Sequence, residues 1–124
     1  MIEALFYNYM REMLRQTPME FHRYLYNEIN WDNRLIGILG PRGVGKSTLI
    51  LQHIKALDAP RTHIFITAET LWFSEHTLLE FADSFSAMGG EYLYIDEIHK
   101  YKGWSRELKL IYDMHPALHV VFTG

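Results

Sequence analysis

The apolar run Leu35–Leu39 leads directly into nine residues, Gly40-Pro41-Arg42-Gly43-Val44-Gly45-Lys46-Ser47-Thr48, and a helix-patterned stretch follows from Ser47 to Leu57. A buried strand, a glycine-rich loop and a helix in that order predict the opening unit of an α/β fold. Gly40 to Ser47 also satisfies G-x-x-x-x-G-K-[ST] in the strand–helix setting that a phosphate-binding loop requires. Glycines at 40, 43 and 45 let successive backbone N–H groups turn inward around phosphate oxygens. The helix after them aims its positive end at the same place. Lys46 supplies a point charge for β- and γ-phosphates, and the Ser47 hydroxyl can join the shell of a Mg²⁺ ion.

Three further apolar runs follow, and the spacing predicts strands over 62–67, 91–96 and 118–123. Between them lie SEHTLLEFADSFSAM, expected to be a helix capped at Ser74 and ended by Gly89-Gly90, and the amphipathic GWSRELKLIYDMH. Strands alternating with helical crossovers imply a short parallel sheet covered on both faces, a three-layer α/β sandwich. Before the first strand, residues 2–15 carry Phe6, Tyr9, Met10 and Met13 at helical spacing. Thr17, Pro18 and Glu20 read as the start of a second helix bearing Phe21, Tyr24, Leu25 and Ile29.

Composition narrows the function classes. With 124 residues the chain is one domain at most, and its net charge of −3 provides no global basic field for nucleic acid. The absence of cysteine removes disulfides, thiolate metal sites and cysteine nucleophiles together. No apolar run approaches the roughly 18 residues of a membrane-spanning helix, and the N-terminus lacks a signal-peptide pattern, so a soluble cytoplasmic chain is expected. The histidines show no metal spacing.

The stretch Tyr92-Leu93-Tyr94-Ile95-Asp96-Glu97 supplies what a phosphate loop lacks. Asp96 ends an apolar strand, where its carboxylate can hold Mg²⁺ through a water, and Glu97 can reach a water attacking a γ-phosphate. His99 completes a D-E-x-H pattern that suggests a helicase, but too little chain separates Lys46 from Asp96 for the nucleic-acid motifs of that class. His99 therefore reads as a helix-start or surface histidine.

GPRGVGKST, YLYIDEIHKYKGWSRELKLIYD and HVVFTG together resemble the AAA-type ATPases of bacteria and archaea, specifically the group of ATP-binding proteins with a C-terminal domain of unknown function. The resemblance covers residues from about 20 to 124 and divides the chain into a helical segment, 1–32, and a partial P-loop ATPase domain, 33–124. It implies a sheet order of 5-1-4-3-2, phosphate binding by Gly40 to Thr48 as a Walker A loop, metal binding by Ser47 and Asp96, and catalysis by Lys46 and by Glu97 of the Walker B strand. Thr123 ends the strand where such ATPases place a polar sensor, and Thr67 ends the strand where a polar residue can hold the catalytic glutamate. ATP or ADP and Mg²⁺ are the cofactors implied. A non-hydrolysing nucleotide-binding module and a P-loop small-molecule kinase are the alternatives.

A complete module of this kind continues past a fourth strand with a helix, a fifth strand, an arginine finger and a helical lid, so weak or absent hydrolysis is expected of residues 1–124 alone. The first strand would then be an uncovered edge, inviting pairing with a second copy unless the N-terminal helices cover it.

Overall fold

The computed structural model describes residues 3–19, 28–41, 45–57 and 62–124. Helix α1 spans Glu3–Arg15; strand β1, Leu35–Ile38; helix α2, Lys46–Leu57; and strand β2, His63–Thr67. Helix α3 spans Leu78–Ala87; strand β3, Tyr92–Asp96; helix α4, Trp104–Met114; and strand β4, His119–Thr123. The strands form one parallel sheet in the order β1-β4-β3-β2. This is the order the resemblance implies for its first four strands.

Burial explains why these segments are strands. Ile64, Phe65 and Ile66 of β2, Leu93, Tyr94 and Ile95 of β3, and Val120 and Val121 of β4 are all buried. Successive side chains on both faces are covered, as in a parallel sheet between helical layers. The β1 strand differs: Leu35 is 41% exposed and only Ile38 is buried. Its Gly37 lies under the Phe122 ring, which would stand 2.6 Å from an added Cβ. Helices α3 and α4 pack on each other, and right-handed crossovers in this strand order call for them on the face opposite α2.

Helix α1 packs against β2 and α2, at the opposite edge of the sheet from β1. Its Phe6 ring meets Trp72, Phe73 and Phe81, and its Met10 sulfur accepts the Phe65 N–H at 3.3 Å. It therefore does not cover the β1 edge. Thr17 closes this helix by donating its hydroxyl to the Met13 carbonyl at 2.7 Å. Most of the expected second helix, including Glu20, Phe21, Tyr24 and Leu25, lies outside the described residues.

One helix start moves. Leu71–Ser74 is a single 3₁₀ turn, and α3 begins after Thr77, not Ser74. The Thr77 hydroxyl accepts from the Glu80 N–H at 3.0 Å while the Glu80 carboxylate accepts from the Thr77 N–H at 3.0 Å, a reciprocal capping box. Ser74 spends its hydroxyl on the Leu71 carbonyl instead. The same helix ends as expected at Gly89 (φ 91°) and Gly90, whose N–H groups reach the Ser86 and Phe85 carbonyls.

Candidate functional site

The chain leaving β1, β4 and β3 comes to the first turn of α2 through Gly40, Gly124 and Asp96. Gly45, with φ 85°, turns the chain from the loop into that helix, and its carbonyl accepts the Leu49 N–H at 3.0 Å. No acidic residue occupies the first turn of α2, so its positive end is not neutralised from within. Of the loop, Gly40, Pro41 and Gly45 to Thr48 are described; Arg42, Gly43 and Val44 lie outside the described residues. Lys46 donates from Nζ to the Gly40 carbonyl at 2.5 Å and the Gly124 carbonyl at 2.9 Å, so its ammonium sits where the chain leaves β1 and β4.

Ser47 and Asp96, far apart in sequence, meet here. The Ser47 hydroxyl lies 2.8 and 2.9 Å from the two carboxylate oxygens of Asp96. Asp96 is only 8% exposed and takes a second hydroxyl, from Thr123, at 2.7 Å. Its neighbour Tyr9 on α1 feels this charge: burial first, then the Asp96 and Glu69 carboxylates, push the phenol up from its ordinary value. A hydroxyl and a carboxylate converging on one point are hard oxygen donors of the kind Mg²⁺ takes, so the residues fit that ion.

Glu97 has a feature no sequence pattern signals. It is the non-glycine residue with positive φ among the described residues, at φ 56° and ψ 44°. A left-handed conformation costs a residue with a Cβ about 1–2 kcal/mol. The Thr123 hydroxyl accepts the Glu97 N–H at 3.0 Å, so one threonine bonds both acidic residues. Thr67 is not placed in this way. It lies opposite Asp96 in the β2–β3 register, but its hydroxyl accepts from the Glu69 N–H at 3.3 Å.

Gly40, Lys46, Glu97, His99 and Gly124 line a cleft of about 200 Å³. A larger groove of about 440 Å³ runs over Glu69, Leu71 and Tyr101, away from Lys46 and Asp96. The smaller cleft is the candidate site because the ammonium and the strained carboxylate face it. His99 is exposed and near a helix start, as the sequence predicts. It lies in the 3₁₀ turn Ile98–Lys100, with Nε2 3.4 Å from a Glu97 carboxylate oxygen. The D-E-x-H pattern was the available signal, and its helicase reading hid it.

No curated protein matches the chain. Among solved structures it is similar to PCH-2 of C. elegans, at 18% identity and a TM-score of 0.52, over 95% of this chain. The likeness at that identity is one of fold, and the chain spans 35% of the length of PCH-2. Residues 32–124 match the family described as an AAA domain, which is most of the chain. With a four-stranded parallel sheet in the order β1-β4-β3-β2 and a family match over residues 32–124, the chain belongs to the AAA domain family.

Proposed function

We propose that the chain binds ATP with Mg²⁺ at the cleft beyond the C-terminal ends of β1, β4 and β3 and hydrolyses the γ-phosphate bond, slowly at most, as the sequence leads us to expect of these residues alone. The reading rests chiefly on one contact: Ser47, at the start of α2, bonded to both carboxylate oxygens of Asp96, at the end of β3. Family membership supports nucleotide binding in general, and this contact joins the two halves that hydrolysis needs.

In this reading Gly40, Pro41, Arg42, Gly43, Val44 and Gly45 wrap the phosphates with backbone N–H groups, aided by Thr48 and the positive end of α2. Lys46 exchanges its carbonyl partners for β- and γ-phosphate oxygens. Ser47 and Asp96 would hold a Mg²⁺ ion, whose chemistry there would be to neutralise charge on the phosphate oxygens. Glu97 orients and deprotonates the attacking water from the cleft wall. Thr123 positions both acids by accepting from one backbone and donating to the other's carboxylate. Thr67 has a lesser part: opposite Asp96, it secures the loop after β2.

Glu97's backbone supports its role. A strained residue persists where the surroundings over-determine it, and such residues cluster at functional sites. Phosphate release by the purified chain tests the reading. Glu97→Gln is expected to lower kcat by about 10²–10⁴ and leave ATP affinity in place, the scale of a lost general base. Release that persists unchanged in Glu97→Gln would overturn hydrolysis at this site and leave a nucleotide-binding module.

A further inference from the structure

The contact between His99 and Glu97 goes beyond the roles just assigned. Glu97 is held from two sides. On its backbone side, the Thr123 hydroxyl accepts its N–H at 3.0 Å. On its side-chain side, His99 Nε2 stands 3.4 Å from its carboxylate. Both side chains line the same cleft as Lys46. The imidazole is about half exposed, and the C-terminal Gly124 lines the cleft beside it. The 3₁₀ turn Ile98–Lys100 fixes the path between the two residues, with the Lys100 N–H bonded to the Glu97 carbonyl at 3.0 Å. The Ile98 side chain is buried under this turn and anchors it.

A carboxylate on a flexible stem samples many rotamers, and only those facing the cleft serve a water there. A ring nitrogen 3.4 Å from the carboxylate is placed to favour some of them. We propose that His99 is a positioning residue for Glu97: its Nε2 fixes the Glu97 carboxylate on the cleft wall. The effect on turnover rests on the hydrolytic reading above, but the contact does not, so the two can fail separately.

The test uses the full chain and two readouts. Long-range ¹H–¹⁵N spectra follow the imidazole nitrogens, and side-chain ¹³C spectra follow the Glu97 carboxyl. Glu97→Gln is expected to shift the ring nitrogens of His99 while those of His76 stay in place, and His99→Gln is expected to shift the Glu97 carboxyl. In phosphate release, His99→Ala is expected to lower kcat about 10-fold, the scale for partners that orient a functional group, at unchanged KM for ATP. His99→Gln, whose amide nitrogen reaches the place of Nε2, is expected to restore most of the loss. Absence of the reciprocal shifts overturns the proposal whatever the activity. So does a His99→Ala kcat equal to or above that of the unmodified chain when Glu97→Gln has lost it. If residues 1–124 release no phosphate, the reciprocal shifts alone sustain or overturn the positioning contact.

Discussion

At the C-terminal ends of β3 and β4, Asp96 and Thr123 join Ser47 in a knot of short hydrogen bonds beside a strained Glu97. At the N-terminal ends of the same strands, polar residues are disposed quite differently. The rings of His63, Tyr92 and His119 stack across β2, β3 and β4, each pair 4.4 Å apart, in the rank that the register dictates. His63 also meets the Tyr94 hydroxyl at 2.8 Å. Behind them, His53 of α2 stacks on Trp31 at 3.8 Å. One end of the sheet gathers oxygens and an ammonium around a cleft. The other turns its polar groups on one another and fills the space with rings. The contrast separates chemistry from packing in a chain where both ends contain titratable side chains.

The ring-lined end should fail first in acid. Burial, and then the nearby His63, pushes the His53 imidazole down to about 4, and burial also lowers His63. Between about pH 6.5 and 4 the unfolded chain binds more protons at these positions than the folded one. Stability is therefore full above pH 6.5 and falls as pH drops, by about 3 kcal/mol from His53 alone. Urea unfolding across this range checks it, and a flat profile would contradict the buried, neutral state of His53.

A smaller effect isolates the same end. Tyr94→Phe removes the hydroxyl facing His63, and about 1–2 kcal/mol of stability should go with it. Nucleotide affinity should not change. A variant that loses both would merge the two ends into one unit and break the comparison. The smallest effect has the opposite sign and belongs to the cleft end. Asparagine tolerates the left-handed region better than glutamate, so Glu97→Asn should raise stability by about 0.5–1 kcal/mol while phosphate release is lost. Thermal unfolding and release assays on one preparation read both, and a loss of stability would mean that Glu97 is not strained.

Much of this was visible in the chain itself, for physical reasons that differ by element. The interior strands were legible because a parallel sheet buries both faces, so HIFIT, YLYID and HVVFT read as continuous apolar runs. The glycine-rich loop stood out in the sequence because phosphate binding demands specific residue types at fixed spacing, and the strand and helix on either side of it are where that pattern expects them. The start of α3 was misplaced because Ser74 and Thr77 are both good capping residues, and only the partner Glu80 separates them. Thr67 and Thr123 are both threonines at strand ends, and the sequence assigned them different parts only through the strand order that the resemblance implies. Strand order decides between them, since β4 lies beside β3 on the loop side and brings Thr123 to Asp96. The left-handed backbone of Glu97 was not legible at all, and the D-E-x-H pattern only pointed toward its contact with His99. No residue type near them demands that conformation; the surrounding fold imposes it.

The account stands most directly on whether Lys46 and the Ser47–Asp96 contact make a site for ATP and Mg²⁺. Calorimetric titration of ATP with Mg²⁺ into the whole chain measures that. Saturable binding of one nucleotide per chain is expected, weakened at least about 10-fold in Lys46→Ala, whose circular dichroism should be unchanged. A folded chain that takes up no ATP, or a Lys46→Ala variant that binds as tightly as the original, would contradict it.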